Sequence, residues 1–366
     1  MRVIHFILDH RIGGPHSYVR SIVRILAPEV ISTVVTTGRG EATDLALTNL
    51  RHRFRLLYPI EIIWNIIRLC LMFRARESPH NLIFDVHGAA NIAPILAARL
   101  MGIPTVWHFH ETDASFVSLV RLGKAVISGL AHKYVAVAKK SAEVFGLASA
   151  VLIPGAVDAE FWRAAPTDYP IRQHPHALRL VTVGNLNPSK GVDILLTALH
   201  GLNVPWELVV VGAELQTFSD YAADLRNQAD QLVRSDRRIE FAGWQSPEAV
   251  RDLLASADMF VLPSRSEACP IALLEAMAAE RACIASDVGD VRKILSEPGS
   301  GIVVQRESPA SLTAALAEVA SLGPDGRFEM GRRARATVMT RYSEQGMAES
   351  HLKMYKELVR EAEAQN

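Results

Sequence analysis

The sequence predicts an α/β protein with two doubly wound domains in series. Its 366 residues are too many for one ordinary domain and suit two domains of about 100–200 residues each. Apolar residues make up 49% and charged residues 21%, which is enough apolar material for two cores and argues against global disorder. Short apolar runs alternate with helical patterns, and this alternation predicts parallel sheets covered by helices on both faces.

The first half of the chain has six short apolar runs that are typical of buried parallel strands. They cover residues 2–8, 31–36, 82–86, 105–109, 133–137 and 151–153. Helical patterns lie between several of these runs, at residues 17–26, 60–74 and 92–101. Together these elements predict an N-terminal domain over residues 1–162.

Residues 163–178 break the alternation and predict an interdomain linker, because prolines and histidines replace large apolar residues there. The alternation then restarts. Strands are predicted over residues 178–183, 207–211, 239–241, 259–262, 283–286 and 302–304, and helices over 192–199, 220–234, 310–320 and 328–339. These elements predict a second domain over residues 179–342, followed by a C-terminal helical segment over residues 343–366.

The charge of the chain is balanced overall but uneven along its length. Lys plus Arg and Asp plus Glu both total 39, so the chain is not built as a general polyanion binder and no nucleic-acid partner is expected. Residues 1–170 carry a formal charge of +5 and the remainder carries −5. Nine of the thirteen histidines also lie before residue 170.

The cysteines and the apolar stretches predict a cytoplasmic protein. Cys70, Cys269 and Cys283 form neither a disulfide framework nor a CxxC metal pair, which fits a reducing compartment. The N-terminal apolar run is too short and too often interrupted for a signal peptide. The most apolar stretch, residues 60–73, contains Glu61 and Arg68 and is shorter than the roughly 20 residues of a membrane span.

Ligands of doubly wound sheets bind at the carboxyl ends of the strands, so functional residues are expected in the loops that follow strands. Gly13-Gly14 follows the first predicted strand, and a glycine pair lets backbone N–H groups approach an anionic group. The pair matches neither the GxGxxG fingerprint nor a Walker A loop. An ordinary tight turn is the favoured alternative for this pair taken alone.

Two histidines lie at the end of the strand predicted over residues 105–109. Alternation along an extended chain places His108 and His110 on the same face. A metal site would need a third ligand, and none has a diagnostic spacing. The alternatives are a hydrogen-bonded pair near the sheet edge, or one histidine that faces a cleft and binds a polar substrate. His87, after the preceding strand, is a weaker candidate of the same kind.

The loop over residues 184–191 follows the first strand of the second domain and opens a helix. Lys190 is electrostatically unfavourable at a helix N-terminus, where anions are preferred. An anionic ligand bound by both Lys190 and the helix amides would resolve this conflict. A solvated lysine is the alternative.

The segment over residues 263–277 carries the strongest signal. Glu267 lies in the loop after a strand, Pro270 suits the first turn of a helix, and Glu275 follows about one and a half turns into that helix. The first-turn amides are available for a phosphate. Glu267 could instead satisfy the helix dipole, and Glu275 could be a surface residue. Its neighbours look buried, however, so a partner for its carboxylate is expected.

These segments, in this order, resemble glycosyltransferase family 4, the retaining nucleotide-sugar transferases of GT-B fold. The Glu-x7-Glu signature of that family matches Glu267 and Glu275, and its glycine pair matches Gly13-Gly14. Its strand-end histidine matches His110. Residues 153–158, IPGAVD, are similar to its interdomain IPNGVD stretch, and residues 184–191 are similar to GRL-x3-KG with Asn185 in place of the arginine.

The resemblance implies a fold and a set of roles. Two Rossmann-like domains would face a cleft, and the C-terminal helix would cross back to the first domain. His110 would contact the donor sugar near the reacting carbon, Glu267 its hydroxyls and Glu275 the nucleotide ribose. Lys190 would offset charge on the leaving diphosphate. The other donor-binding residues would be Gly13, Gly14, Asn185, Ala242, Gly243, Trp244, Ala268, Cys269, Pro270 and Ile271, with the base against residues 241–244.

The implied activity is transfer of a sugar, with retention, from a nucleotide-diphosphate sugar to a hydroxyl acceptor. The nucleotide sugar is a co-substrate, and no cofactor or metal is expected, because cations and oriented N–H donors can stabilise the departing diphosphate. The acceptor would be a glycan or lipid-linked glycan in bacterial polysaccharide, lipopolysaccharide or glycolipid synthesis. His16, His87 and His108 are the candidate acceptor-binding residues.

Two other functions stay open. Asn185 and Ala268 depart from the family pattern, so a sugar-nucleotide or glycan binding module with impaired catalysis is one alternative, and a nucleotide-sugar epimerase of GT-B fold is the other. Peripheral contact of the N-terminal domain with the inner face of the membrane is also expected from its positive charge. The apolar residues 60–76 could take part in it, but a helix that buries its apolar side chains on a sheet is the favoured alternative for them.

Overall fold

The computed structural model describes residues 1–7, 14–37, 45–47, 58–73, 81–112, 129–163 and 176–364. The chain falls into two compact units. The first combines Met1–Gly155 with the C-terminal Glu344–Asn366, and the second is Ala156–Ser343.

The first unit is a parallel sheet covered by helices. Its strands are β1 (Arg2–Ile7), β2 (Ile31–Thr37), β3 (Leu45–Leu47), β4 (Leu82–His87), β5 (Thr105–Phe109), β6 (Lys133–Ala136) and β7 (Val151–Leu152). Its helices are α1 (Gly14–Leu26), α2 (Tyr58–Phe73), α3 (Ile92–Met101) and α4 (Lys139–Phe145), joined by the C-terminal α12 (Glu344–Ala364). The strand order is β3-β2-β1-β4-β5-β6-β7, and β1, β4 and β5 are almost wholly buried.

The second unit repeats this architecture. Its strands are β8 (Leu178–Val183), β9 (Trp206–Val211), β10 (Arg237–Gly243), β11 (Met259–Leu262), β12 (Ala282–Ser286) and β13 (Ile302–Val304). Its helices are α5 (Val192–His200), α6 (Ser219–Leu232), α7 (Pro247–Ser256), α8 (Ile271–Ala278), α9 (Val291–Ile294), α10 (Pro309–Ser321) and α11 (Gly323–Arg341). The strand order is β10-β9-β8-β11-β12-β13.

Both sheets have the strand order of a doubly wound fold, so the predicted fold class is confirmed. In such a sheet the order in which strands are added reverses at a switch point, where the loops after two adjacent strands diverge and leave room for a ligand. The switch point lies between β1 and β4 in the first sheet and between β8 and β11 in the second.

The C-terminal helix packs on the first unit, as the fold class predicts. The Tyr18 hydroxyl of α1 lies 3.3 Å from His351 Nε2 of α12, and both side chains are buried. At the rim, Glu344 accepts hydrogen bonds from Ser21 and Arg24. Helix α12 is therefore held by buried polar contacts as well as by the apolar side chains that it buries.

The observed elements differ from the predicted ones in a few places. Strand β3 and helix α4 were not predicted, and α11 begins at Gly323 rather than at residue 328, with a proline in its first turn. Val157 and Trp162 are buried in the core of the second unit, which therefore begins before the predicted boundary at residue 162. Most of the predicted linker lies outside the described residues.

Across the residues that the structure describes, no helix combines the length and the apolar character needed to span a bilayer.

Candidate functional site

Two loops meet at the switch point of the second sheet: residues 184–191 after β8 and residues 263–270 after β11. We call these loops, together with α8, the switch-point site. Gly191 has a φ of +65°, and a Cβ there would lie 2.1 Å from the Pro263 carbonyl oxygen. Gly289 has a φ of +52°, and its Cβ would lie 2.4 Å from the Glu267 carbonyl oxygen. Only glycine permits these backbone approaches. Gly191 therefore brings the two loops together, and Gly289, which follows β12, lets a third segment approach Glu267.

The structure brings two of the predicted catalytic residues into direct contact. Lys190 Nζ lies 2.7 Å from Glu267 Oε1, and the Ser264 hydroxyl donates to the same oxygen at 2.7 Å. Gly184 leaves the space that the Lys190 side chain occupies, because a Cβ there would lie 3.2 Å from it. Lys190 ends a 3₁₀ turn, Pro188–Lys190, just before α5. The charge conflict expected at this lysine is thus met within the chain by Glu267.

Arg265 holds the two loops together, a role that sequence reasoning missed. Its guanidinium binds both carboxylate oxygens of Asp193 at 2.8 and 2.6 Å and donates to the Pro188 carbonyl at 2.7 Å. Its backbone N–H donates to the Ser189 carbonyl at 2.8 Å. A forked guanidinium on a carboxylate is a strong and directional contact. The Lys190–Glu267 pair therefore sits in a preorganised frame.

Helix α8 begins within the switch-point site without a side-chain cap. Pro270 precedes its first turn, and the Pro270 carbonyl accepts from the N–H groups of Leu273 and Leu274. Among the described residues, no acceptor is found for the backbone N–H of Ile271 or Ala272. Such free first-turn amides favour an anion.

Glu275 lies in the second turn of α8 and is half-buried. Burial raises the pKa of its carboxyl to about 7. No side chain or backbone group of the described chain pairs with this carboxylate, so the protein partner expected from the sequence was not found. A carboxylate kept from water without a partner is costly, which marks this position for a ligand with hydrogen-bond donors.

The remaining predicted donor-binding residues fall into two groups. Trp244 is 59% exposed at the end of β10, next to Gly243, whose φ is +68°. Asn185 Oδ1 accepts from the Ala213 N–H at 3.1 Å, so it braces the loop after β9. The backbone carbonyls of Ala242 and Ala268 accept hydrogen bonds from within the chain, while Cys269 is half-buried and Pro270 is buried.

The switch point of the first sheet holds a buried carboxylate, Asp85, inside a group of histidines and tyrosines. Parallel pairing places His5 of β1 opposite Asp85 of β4, and His87 of β4 opposite His108 of β5. Asp85 Oδ2 lies 3.0 Å from His5 Nδ1, 3.3 Å from His87 Nε2 and 2.6 Å from the hydroxyl of Tyr355. We call these residues, with His108, His110 and His351, the Asp85 cluster.

His110 connects the Asp85 cluster to the surface. Its Nε2 lies 3.1 Å from His87 Nδ1, and His87 Nε2 in turn faces Asp85. If His87 donates to the carboxylate, its Nδ1 accepts from His110, and His110 Nδ1 keeps a free lone pair. His110 is half-buried, whereas His87 and His108 are 1% and 0% exposed. Only His110 of these three can therefore reach a substrate.

The pKa values within the Asp85 cluster favour a carboxylate among neutral imidazoles. Burial alone would raise the pKa of Asp85, but His108, His87 and His5 together hold it well below its usual range. Burial, with added repulsion from the neighbouring imidazoles, lowers the pKa of His87 to about 4 and that of His110 well below its usual value. The negative charge of Asp85 is thus spread over several donors rather than neutralised by one cation.

This geometry corrects part of the predicted acceptor site. The side chains of His87 and His108 have no exposed surface. His87 contacts His110, and His108 contacts Asp85. They cannot contact an acceptor in this structure. His16 is half-buried in the first turn of α1. Gly14 begins α1, and Gly13 lies outside the described residues.

Sequence reasoning missed the other members of the Asp85 cluster. His5 and Asp85 lie within otherwise apolar runs. A polar residue inside such a run was the one feature of the sequence that could have indicated them. The sequence also did not reveal the structural role of Glu111. Its carboxylate accepts hydrogen bonds from the backbone N–H groups of Ala89 and His110 at 3.1 and 3.0 Å. Burial raises the pKa of this carboxyl. This contact fixes the backbone at His110.

Comparison with known proteins relates part of the second unit to glycosyltransferases. Residues 177–321 match the family model of glycosyl transferases group 1. Alpha-maltose-1-phosphate synthase of Mycolicibacterium smegmatis is 28% identical over 48% of this chain and 47% of its own length. The lipopolysaccharide 1,2-N-acetylglucosaminetransferase of Salmonella typhimurium is 26% identical over 55% of each chain. The chain thus spans about half the length of these curated relatives.

Solved structures extend the likeness of the fold to almost all of the chain. A glycosyltransferase from Rickettsia africae superposes with a TM-score of 0.82 at 16% identity, covering 98% of each chain. Anabaena HepE, in complex with UDP and glucose, gives 0.80 at 16% identity, covering 98% of this chain and all of its own. Residues 177–321 of the second unit are therefore similar to group 1 glycosyl transferases, and the fold is that of GT-B glycosyltransferases.

The pKa of Glu275 predicts how stability depends on pH. The folded chain retains a proton on Glu275 up to about pH 7, while the unfolded chain loses it near pH 4.5. Glu275 therefore contributes a loss of up to about 3 kcal/mol in the free energy of unfolding as pH rises from about 4.5 through 7, whereas histidines with lowered pKa values, such as His87, contribute in the opposite direction. The free energy of unfolding of the ligand-free wild type minus that of Glu275→Gln should fall by this amount over that range, which urea unfolding at several pH values would measure.

Glu318→Gln is the matched control, because this residue is exposed on α10 of the same unit. It should keep the wild-type dependence on pH. If Glu275→Gln also kept it, Glu275 would not be the unpaired, half-buried carboxyl with a raised pKa described above.

Proposed function

We propose that the protein is a glycosyltransferase that moves a sugar from a nucleotide-diphosphate sugar to a hydroxyl acceptor. The observation that carries this proposal is the convergence at the switch-point site. A cation–carboxylate pair, the uncapped N-terminus of α8 and the unpaired carboxylate of Glu275 all lie on the two loops and the helix that follow β8 and β11.

Each part of this site suits one part of a nucleotide-sugar donor. Glu275, as an acceptor without a partner among the described residues, suits the hydroxyls of the ribose. The free amides of Ile271 and Ala272 suit a phosphate. The exposed ring of Trp244 offers a stacking surface for a base. UDP and UDP-glucose are present in structures of the similar Anabaena protein, which supports a donor of this class.

Lys190 and Glu267 would act on the leaving group and the sugar. When the donor binds, the diphosphate would take over Lys190 from Glu267, which frees the Glu267 carboxylate for the sugar hydroxyls. A preorganised cation stabilises the negative charge that develops as the diphosphate departs. His110, with its free Nδ1 lone pair, would accept a hydrogen bond from the donor sugar. This route needs no metal, and we propose metal-independent transfer.

We propose that the sugar keeps its anomeric configuration, because the acceptor hydroxyl attacks from the face that the diphosphate leaves. The new bond forms between the acceptor oxygen and the anomeric carbon, while the bond from that carbon to the diphosphate oxygen breaks. The hydroxyl proton passes to the departing diphosphate. A catalytically impaired binding module and a nucleotide-sugar epimerase are the alternatives, and neither has a specific structural observation in its favour.

The acceptor is proposed to be a glycan or lipid-linked glycan, as in bacterial polysaccharide, lipopolysaccharide or glycolipid synthesis. Some similar proteins carry names of this kind, among them GDP-mannose:cellobiosyl-diphosphopolyprenol alpha-mannosyltransferase of Xanthomonas oryzae, which is 32% identical over 40% of this chain. Cytoplasmic location with peripheral membrane contact completes the proposal.

Helix α2 supports the membrane contact. It buries Leu69 completely, as a sheet-covering helix does, but it also buries Glu61 and Asn65. The exposed face is apolar, with exposures from 46% to 74% at Ile60, Ile63, Trp64, Ile67 and Leu71. An apolar stripe at helical spacing on the outside is the reverse of the usual amphipathic pattern and marks an interaction surface. The expectation that α2 buries its apolar side chains thus holds for one face only.

Lys190→Ala should lower the rate of transfer by roughly 10²–10³-fold if Lys190 stabilises the leaving diphosphate. Release of nucleoside diphosphate from UDP-glucose and GDP-mannose, with and without acceptor, measures it. Lys140→Ala, an exposed lysine on α4, is the control and should retain wild-type turnover. Unchanged turnover in Lys190→Ala would remove this residue from the mechanism, and no diphosphate release by the wild type would favour a binding module.

The anomeric configuration of the product tests retention in the same reactions. Proton NMR of the early product should show the configuration of the donor. An inverted product, or a glycosyl group trapped covalently on the protein, would rule out front-face attack. Conversion of the donor to its epimer without transfer would instead identify an epimerase.

Trp64→Glu should weaken sedimentation with anionic phosphatidylglycerol vesicles by at least about tenfold, because it places a charge in the apolar stripe. Arg360→Glu, exposed near the end of α12, is the control for an added negative charge, and it should have the smaller effect. Equal binding by wild type and Trp64→Glu would show that α2 is not the contact surface.

A further inference from the structure

Three histidines at the carboxyl ends of β4 and β5 bring their ring nitrogens together. One nitrogen from each of His87, His108 and His110 lies within 4.8 Å of the other two. The His87 Nδ1–His110 Nε2 distance is 3.1 Å. Two nitrogens bound tetrahedrally to one Zn²⁺ at 2.0–2.1 Å lie about 3.3 Å apart, so shifts of no more than about 1.5 Å would complete the set.

Asp85 orients two of these rings in the way that metal sites require. Its Oδ2 lies 3.3 Å from His87 Nε2, and its Oδ1 lies 2.6 Å from His108 Nε2. A histidine that binds a metal usually turns its other ring nitrogen to a carboxylate, which fixes the ring. Here both Nε2 atoms face Asp85, so a metal would bind the Nδ1 atoms, and at His87 it would replace the contact with His110 Nε2. The two rings are stacked, with centroids 4.2 Å apart.

The Nδ1 atom of His108 is the second indication of a ligand. It is buried and has no hydrogen-bond partner in the described part of the chain. His108 Nε2 also lacks hydrogen-bond geometry, although it lies 2.6 Å from Asp85 Oδ1. A hydrogen-bonded pair of His87 and His110 would explain those two residues, but it leaves His108 Nδ1 unsatisfied. Buried polar atoms without partners are rare and costly. A cation shared by all three histidines would satisfy this atom.

We propose that His87, His108 and His110 form a binding site for a transition metal of the Zn²⁺ class, and that the bound metal inhibits sugar transfer. Coordination through His110 Nε2 leaves the ring proton on Nδ1, which removes the lone pair that would accept a hydrogen bond from the donor sugar. Imidazole nitrogens suit Zn²⁺, Cu²⁺ and Ni²⁺, whereas Mg²⁺ and Ca²⁺ prefer oxygen ligands. Three protein ligands leave a fourth position for water. Because His110 is half-buried, the site is open to solvent on one side.

Metal binding and inhibition are supported by different observations. Metal binding rests on the geometry of the three histidines and Asp85 alone. Inhibition rests also on the proposed function, in which His110 contacts the donor sugar. The metal is not part of the transfer reaction, so its removal should leave turnover undiminished.

Calorimetric titration of the EDTA-treated, dialysed full chain with ZnCl₂ tests the site. One Zn²⁺ should bind per chain. His110→Ala should weaken the affinity at least tenfold, and Asp85→Asn should weaken it by roughly 10–100-fold through loss of ring orientation. His200→Ala, an exposed histidine at the end of α5, is the control and should bind as the wild type does. Titration with Co²⁺ should give the strong visible absorption of a tetrahedral complex.

Zinc binding that is absent, or unchanged in His110→Ala, would overturn the site. His110 is half-buried, so its truncation should leave the chain folded, which circular dichroism and thermal unfolding without metal would verify. Asp85 contacts several buried groups, and if Asp85→Asn does not fold, His110→Ala and the Co²⁺ spectrum decide the question without it.

Transfer assays test inhibition separately. Zn²⁺ should reduce wild-type turnover and EDTA should restore it, while the residual turnover of His110→Ala should no longer respond to Zn²⁺. Binding of one Zn²⁺ without loss of turnover would overturn the inhibitory role. The switch-point site lies in the other unit, so diphosphate release that fails even without Zn²⁺ would contradict the proposed function and not the metal site.

Discussion

The switch-point site depends on the close approach of two backbone loops at the carboxyl ends of β8 and β11. Gly191 permits this approach, because any side chain there would collide with the carbonyl of Pro263. Arg265 then fixes it by binding Asp193 and the backbone of residues 188 and 189. Without this frame, Lys190 and Glu267 would not meet, and the first turn of α8 would not face the same space. The side-chain contacts of this site therefore depend on the backbone geometry of the two loops.

The first unit depends instead on a fully buried carboxylate, that of Asp85, whose exposure is 0%. Side chains from three strands and from the C-terminal helix surround Asp85. His5 and Tyr355 are hydrogen-bonded to it, and His108 Nε2 lies 2.6 Å from its Oδ1. An uncompensated buried charge would be strongly destabilising, so each of these donors supports the fold. The same arrangement fixes His87, which in turn positions His110. A single buried charge thus links the packing of α12 to the half-buried histidine at the end of β5.

Much of the fold could be predicted from the sequence, because buried parallel strands and their covering helices leave distinct apolar patterns. The Lys190 loop and the Glu267–Glu275 segment could also be found, since each follows a strand and carries charges in unusual places. The Asp85 cluster could not be assembled in this way. His5 and Asp85 are 80 positions apart, and Tyr355 lies 270 positions beyond Asp85, so only the strand order and the return of α12 bring them together. For α2 the sequence favoured burial over a membrane-contact surface, because its apolar residues lie all around the helix and periodicity does not tell which side faces the core.

The central claim is that the switch-point site binds a nucleoside diphosphate, with its ribose on Glu275. Thermal unfolding with UDP, GDP and ADP, each compared with its 2′,3′-dideoxy analogue, tests this most directly, because a ligand of the folded state raises the unfolding temperature. We expect that at least one diphosphate stabilises the wild type, that its dideoxy analogue stabilises it less, and that Glu275→Gln loses this difference. No stabilisation by any of the three, or an undiminished preference for the ribose in Glu275→Gln, would contradict it.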